Sequence, residues 1–481
     1  MPNIDVLSEL KDFLGPKGFQ EDPQEMAPWL TDWRGRYTGR AAALVSPANT
    51  QEVAEVIRRA ARHRIAIVPQ GGNSGMVAGA TPDASGDQII LSLRRMDGII
   101  EFDTDSGLVH CQAGVILQNL HDAAATKGRR FPLTLGGKGS ATIGGLISTN
   151  AGGTQVLRHG TMRHLVAGVE AVLPDGSIYD GLSPLKKDNR GYDLKHLLIG
   201  GEGTIGIVTS AIVQTVPALV DRCVVWVGVE SPEHAYRLLL FMQTRARERL
   251  EGFEILPQRA LNAVVKHIAG TRAPLETEHS WHVLMELVQD DPNQSAPATL
   301  ATNLLEQAIE AAMIENATLA SSEAQAEAFW KIRDSIAEAE RAEGPALQHD
   351  ISVPVAAMSR FIIQESPVIE QKWPGTKTVA FGHLGDGNIH FHVKAPVGVD
   401  TVQWYATDGK VITSHIYDRV VAYAGSLSAE HGIGQSKIAE FARLSDPTRI
   451  SALQAIKNAF DPLGIMNPGK LVPLAQMPMS A

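Results

Sequence analysis

The glycines constrain this chain most, because its 44 glycines cluster rather than spread. Glycine tolerates positive φ and lets another backbone or a ligand approach closely. The first block ends an α-β unit. Asn49 or Thr50 can cap a helix with Val53, Val56, Ile57 and Ala60 on one face, and a strand follows at Ile65-Ala66-Ile67-Val68. That strand runs into Pro69-Gln70-Gly71-Gly72-Asn73-Ser74-Gly75. Successive N–H groups in such a loop form an anion-binding concavity, and the plainer alternative is a tight turn. In the second block, Gly136 to Gly153, the spacing of Gly139 and Gly144 begins a Walker A loop. Gly145 and Leu146 stand where Lys and Ser/Thr are required, so that reading fails. A long small-residue segment remains, with Thr142, Ser148, Thr149 and Asn150 as polar contacts. The third block, Gly201 to Gly206, matches GxGxxG but opens into the β-rich run Ile207–Val213. A dinucleotide fingerprint must open a helix, so this is a glycine turn beside a bound cofactor rather than a Rossmann site.

At 481 residues the chain exceeds one ordinary core. The character changes near Pro217, from glycine blocks to alternating strands (Val224–Val229, Trp281–Val288, Thr378–Phe381) and longer helices at 233–249, 300–315 and 323–341. Phe329, Ile332 and Ile336 form a stripe on the last helix, with Arg333 beside it, either solvated or aimed into a site. Lys+Arg of 43 against Asp+Glu of 53 gives a charge of −10, which argues against nucleic acid and anionic membrane surfaces as partners. No window approaches the roughly 18 apolar residues of a membrane span. The first residues have no basic or apolar leader character, so the sequence predicts no signal peptide and a cytoplasmic protein. Cys111 and Cys223 have no ligand spacing and read as buried apolar groups.

Chemistry concentrates late in the chain. In Phe381-Gly-His383-Leu-Gly-Asp-Gly-Asn-Ile-His390-Phe-His392, β-branched and aromatic flanks predict strands, and Leu-Gly-Asp-Gly-Asn predicts their turn. The hairpin brings His383 and His390 together across its neck, and His390 shares a strand face with His392. A second motif, Ser428-Ala429-Glu430-His431-Gly432, adds a carboxylate and a histidine. Two histidines and a carboxylate suit a Zn²⁺-type site, and surface-turn or core histidines are the alternative.

The three glycine loops and the tail Asn467-Pro468-Gly469-Lys470 together resemble FAD-linked oxidoreductases of the vanillyl-alcohol oxidase type, with a PCMH-type FAD domain. The Gly-His383-Leu-Gly-Asp-Gly-Asn-Ile-His390 hairpin and Ser428-Ala429-Glu430-His431-Gly432 resemble the D-2-hydroxyacid dehydrogenase branch, which includes D-2-hydroxyglutarate dehydrogenase, D-lactate dehydrogenase and the glycolate oxidase flavin subunit. The resemblance runs from about Trp33 to Pro473. It implies an α+β fold: an FAD domain of two α+β subdomains (1–217), an antiparallel substrate and metal cap (218–455), and a C-terminal segment (456–481) returning to the FAD domain. Pro69, Gln70, Gly71, Gly72, Asn73, Ser74 and Gly75 would hold the FAD pyrophosphate. Gly139, Ser140, Thr142, Ile143, Gly145, Thr149, Asn150, Gly152 and Gly153 would line the ribityl chain and ring, with Glu202, Gly203, Ile207 and Asn467 along the cofactor. His383, His390 and Glu430 would bind a divalent metal, Zn²⁺ or alternatively Mn²⁺; His431 would be the base, and Arg333 would grip the substrate carboxylate.

Three positions depart from the hydroxyglutarate members: Ala337 replaces Thr, Gln348 replaces Lys, and His392 replaces Asn. Losing the Lys removes a partner for a second carboxylate and opens D-lactate as a substrate; alternatively, His392 and Gln348 re-create contacts to a dicarboxylate. The resemblance implies FAD-dependent oxidation of a D-2-hydroxy acid. FAD would be bound non-covalently, with His159 the position to watch for a covalent anchor. Electrons would pass to an electron-transfer flavoprotein or a quinone, and the chain would form a homodimer. An oxygen-using oxidase, a zinc hydrolase with a bound nucleotide and a non-catalytic flavin module are the alternatives.

Overall fold

The computed structural model describes residues 4–473; the ends of the expected N- and C-terminal segments, 1–3 and 474–481, lie outside the described residues. The fold is α+β. The chain forms two compact units. The first comprises residues 1–153, 160–217 and 430–481; the second comprises 154–159 and 218–429.

The first unit holds two main sheets. β1 (Phe19–Gln20), β2 (Ala43–Val45), β3 (Ile67–Gln70) and β4 (Ile89–Ser92) lie in the order β1-β2-β4-β3, with β4 parallel to both β2 and β3. Parallel strands need a crossover, and the helix Thr50–His63 connects β2 to β3, which flank β4. Asn49 accepts its first-turn bond from Glu52 N at 2.9 Å, and Val53, Val56, Ile57 and Ala60 are fully buried. The five-stranded sheet is antiparallel. β5 (Ile99–Asp103) and β6 (Leu108–Gln112) precede a short β7 (Arg129–Arg130), which pairs with a later strand. β8 (Val166–Val172), β9 (Ile178–Gly181) and β10 (Ile207–Gln214) complete the order β5-β6-β10-β8-β9, and β11 (Val216–Pro217) is the partner of β7. The GxGxxG block therefore feeds a central antiparallel strand.

Two features of this unit differ from the sequence expectation. The second glycine block contains a helix, Ile143–Thr149, where only a small-residue segment was expected. Ile143, Leu146 and Ile147 form an i, i+3, i+4 stripe that the glycines disguise, and all three are buried. Thr142 Oγ1 accepts from Gly145 N at 3.4 Å, and Asn150 ends the helix at φ 51°. The chain also returns to this unit at Glu430 rather than at 456. Glu202 and Val77 hold the backbone of Ile433 to Ser436 by hydrogen bonds, so the return starts there. Farther on, Ile67 N donates to Ile465 O and Asn467 N to Ile67 O, both at 2.8 Å, which adds the tail to the edge of β3.

The second unit is built on one seven-stranded antiparallel sheet. Its strands are β12 (Asp221–Val229), β13 (Leu250–Pro257), β14 (Trp281–Gln289), β15 (Asn316–Leu319), β16 (Ala346–Ser352), β17 (Lys377–His383) and β18 (Asn388–Lys394). They lie in the order β15-β12-β14-β13-β17-β18-β16. The expected long helix over 323–341 is two, Glu323–Asp334 and Ile336–Ala342, separated at Ser335. Helices this short are marginal alone. Phe329, Ile332 and Ile336 dock them onto the sheet face that carries Trp226, Leu284 and Phe381, each such burial contributing about 1.5–3 kcal/mol. Cys111 and Cys223 are buried free thiols, and burial pushes them up to about 12 and about 11. Among the described residues no helix is long and apolar enough to cross a membrane.

Candidate active site

The glycine blocks meet in the first unit. A Cβ on Gly71 would lie 2.2 Å from Thr142 Oγ1, one on Gly72 1.7 Å from Ser140 O, and one on Gly203 2.4 Å from Pro69 Cγ. Only glycine permits that convergence. Among the described residues the N–H groups of Gly72, Asn73, Ser74 and Gly75 donate to no protein acceptor. A row of N–H groups without protein acceptors is the kind that can form an anion cradle. Neighbouring side chains brace the loop. Gln70 Nε2 donates to Trp29 O and Ala80 O at 3.0 and 2.8 Å, and Asn73 Nδ2 to Thr31 O at 2.8 Å. Gln70 Oε1 and Asn467 Oδ1 are buried without a protein partner, which suits them as acceptors for a ligand.

Other expected cofactor positions are structural on their side-chain end. Ile143 and Ile207 belong to the core, so only their backbone can face a ligand. Thr149 Oγ1 donates to Gly145 O at 3.1 Å, and Asn150 Oδ1 accepts from Arg163 N at 3.0 Å. Gly152 and Gly153 are buried, whereas Gly139 and Ser140 are exposed. Glu202 takes φ 48°, and its carboxylate accepts from Ile433 N at 2.7 Å and Gly434 N at 2.8 Å. Burial pushes that carboxyl up, against those two bonds and Lys437. Asn467 Nδ2 donates to Gly79 O and Glu202 O at 3.0 and 2.8 Å.

The loop so clamped carries Glu430 and His431. Adjacent residues diverge in a strand, but these lie outside any strand, and Gly432 follows at φ +81°. His431 Nε2 stands 4.0 Å from Glu430 Oε2, so the two side chains point the same way.

In the second unit the hairpin register pairs Phe381 with His390 and His383 with Asn388. His383 and His390 are thus diagonal rather than directly opposite. Their rings lie 5.5 Å apart at 75°, and their ligand nitrogens are within 4.8 Å of one another. Burial, helped by Arg333 and His383, holds His390 well below the usual imidazole range, so it is neutral, the form that ligates metals. Arg333 is 7% exposed, which settles its two readings: it points inward. Its Nε donates to Glu254 Oε2 at 2.7 Å, its guanidinium sits 5.4 Å over the Phe381 ring, and Nη2 lies 3.4 Å from His383 Nε2. Glu254 Oε1 stands 2.6 Å from His383 Nδ1. Burial pushes Glu254 up, but the charges and hydrogen bonds of His383 and Arg333 outweigh it and bring the carboxyl down to about 2.

The same sheet face continues outward. Asp350 faces His390 in the register and accepts from Asn388 Nδ2 at 2.9 Å; Gln348 faces His392. His392 Nδ1 is paired with Glu340, both buried, while its Nε2 and the Gln348 amide bond to no described residue. Ala337 is half-buried on the second short helix. His159, in the segment 154–159 that joins this unit, lies 3.7 Å from Glu251.

Sequence reasoning missed Glu254, Glu340 and Asp350. Glu254 left a trace, a carboxylate within the apolar run Gly252-Phe253-Glu254-Ile255-Leu256. Glu340 sat on a helix stretch that reads as a solvated face.

Two family models match the chain, and the second runs past Glu430 into the residues that return to the first unit. Residues 41–181 match the family model described as FAD binding domain, and residues 220–471 that described as FAD linked oxidases, C-terminal domain. The chain is 35% identical over 467 residues to the mitochondrial D-2-hydroxyglutarate dehydrogenase of Arabidopsis thaliana, covering 97% of this chain and 81% of that protein. It is 35% identical to the Bos taurus enzyme of the same name, with 94% and 80% covered. It is 34% identical to a putative mitochondrial D-lactate dehydrogenase of Schizosaccharomyces pombe, with 94% and 85% covered. Among solved structures, alkyldihydroxyacetonephosphate synthase superposes with a TM-score of 0.74 at 17% identity over 97% of this chain and 85% of that one. Substrate-bound p-cresol methylhydroxylase gives 0.73 at 13% identity over 97% and 96%.

Proposed function

This chain belongs to the FAD-linked oxidases, and on that premise we propose that it is a metal-assisted dehydrogenase of D-2-hydroxy acids, producing the 2-oxo acid and passing electrons to an electron-transfer flavoprotein or a quinone. The observation that carries the reading is the His383–His390 pair, with ligand nitrogens within 4.8 Å on a rigid sheet, beside an inward arginine. Relatives named for D-2-hydroxyglutarate and D-lactate support D-2-hydroxy acids as the substrate class.

Each residue has a defined task. Gly72 to Gly75 present N–H groups to the FAD pyrophosphate, and bound FAD supplies the acceptor for the C2 hydrogen and its electron pair. His383 and His390, with Glu430 as the third ligand, hold a divalent ion, Zn²⁺ or Mn²⁺, whose Lewis acidity makes the C2 hydroxyl more acidic. Arg333, its plane fixed by Glu254, orients the substrate carboxylate through charge-assisted bonds. His431 accepts the hydroxyl proton on a ring nitrogen. Gln348 and His392 face the far end of the substrate.

The test is anaerobic titration of the purified flavoprotein with a panel of D- and L-2-hydroxy acids. The expected result is bleaching of the flavin by one or more D acids and by none of the matched L acids. Bleaching by L acids alone, or by no hydroxy acid, would overturn the reading.

A further inference from the structure

We propose that Glu254 is a positioning residue that sets both the ligand nitrogen of His383 and the plane of Arg333, so that metal binding and carboxylate recognition depend on one buried carboxylate. The inference rests on the metal and substrate roles proposed above. Glu254 lies on β13, fully buried, directly opposite His383 in the register with β17. Its two oxygens serve different partners: Oε1 lies 2.6 Å from His383 Nδ1, and Oε2 accepts from Arg333 Nε at 2.7 Å. An ionised carboxylate can only accept. His383 therefore carries its proton on Nδ1, which makes Nε2 the nitrogen with the lone pair, the one that would face a metal. Arg333 agrees independently: its Nη2, a donor, lies 3.4 Å from that Nε2, where a second N–H would be repelled. A carboxylate behind a ligating histidine fixes its tautomer and ring orientation and raises its basicity.

Stability alone gives a poor account of Glu254. A buried ion pair can often be replaced by apolar side chains without loss of stability, and Phe253, Ile255 and Leu256 around it are apolar and buried. What an apolar residue could not do is point two different donors in fixed directions.

The experiment compares wild type with Glu254→Gln and Glu254→Asp as full-length, FAD-loaded protein. Zn²⁺ affinity is measured by competition with a chromophoric chelator, and KM and kcat with the D-2-hydroxy acid that best bleaches the flavin. A glutamine offers one acceptor oxygen where two donors need one each. Glu254→Gln is expected to weaken Zn²⁺ binding by about 10- to 100-fold and to raise KM, with flavin content unchanged. Glu254→Asp keeps two acceptor oxygens and is expected to fall between the two. Zn²⁺ affinity and KM within twofold of wild type in a flavin-replete Glu254→Gln would overturn the proposal. If that variant fails to fold, Glu254→Asp decides, and wild-type Zn²⁺ affinity and KM in it would overturn the proposal. Wild type that binds no divalent ion would sink the underlying metal reading, whereas tight and equal binding by wild type and Glu254→Gln would sink only the positioning role.

Discussion

In the first unit the site is made of backbone. Gly72 sits where a Cβ would be 1.7 Å from Ser140 O, and the neighbouring N–H groups donate to no acceptor among the described residues. In the second unit it is made of side chains. Glu254, His383 and His390 stand on one sheet face, Arg333 reaches them from a helix packed on it, and Glu254 faces both Arg333 and His383. The two designs fail differently. A backbone site tolerates almost any side chain that points away and none that points in. A charged site fails when one partner is lost, because the remaining charge stays buried and unbalanced.

The largest test of this contrast is Gly72→Val. Its side chain must displace the backbone at Ser140, at a cost of about 4 kcal/mol or more, so the protein should lose flavin and all activity together. Retention of FAD at wild-type occupancy, read from absorbance, would break the backbone account. Next is His431→Ala. It should keep FAD and metal while slowing single-turnover flavin reduction by about 10²- to 10⁴-fold; undiminished reduction would remove His431 as the base. Within the charged region, His392→Ala leaves Glu340 buried and should lower unfolding stability by about 3 kcal/mol. Adding Glu340→Leu should recover most of that loss. Chemical denaturation reads both variants, and a single variant as stable as wild type would show that the pair carries no structural weight.

The smallest effect is a pH dependence. Glu202 has its carboxyl raised by burial, so its folded value lies above its unfolded one. Its contribution is fully present below the unfolded value and is lost as pH rises through the folded value. Glu202→Gln should therefore flatten the fall in stability across that window. An identical pH slope in the variant would assign the trend to another group.

The contrast also explains what could be read from the sequence. Glycine is a direct signal of backbone approach, so the three loops pointed to close backbone packing before their contacts were known. The same glycines hid the helix Ile143–Thr149, because an apolar stripe of only Ile143, Leu146 and Ile147 fits inside them. The hairpin histidines were legible because they lie close in sequence. Glu254 lies 129 residues from His383, and Glu340 lies 52 from His392; only the strand order β13-β17-β18 and the docking of the short helices bring them near. Arg333 was open between water and site for the same reason, since its helix gives no clue to the carboxylate facing it.

The most direct test of the central claim is metal removal and return in the flavin-loaded protein. Rapid-mixing reduction by the preferred D-2-hydroxy acid would be followed in wild type as purified, after chelation, and after adding back Zn²⁺ or Mn²⁺, with flavin content checked at each step. The account predicts that chelation abolishes flavin reduction without releasing FAD, and that one of the two ions restores it. Equal reduction rates before and after verified metal removal would contradict it.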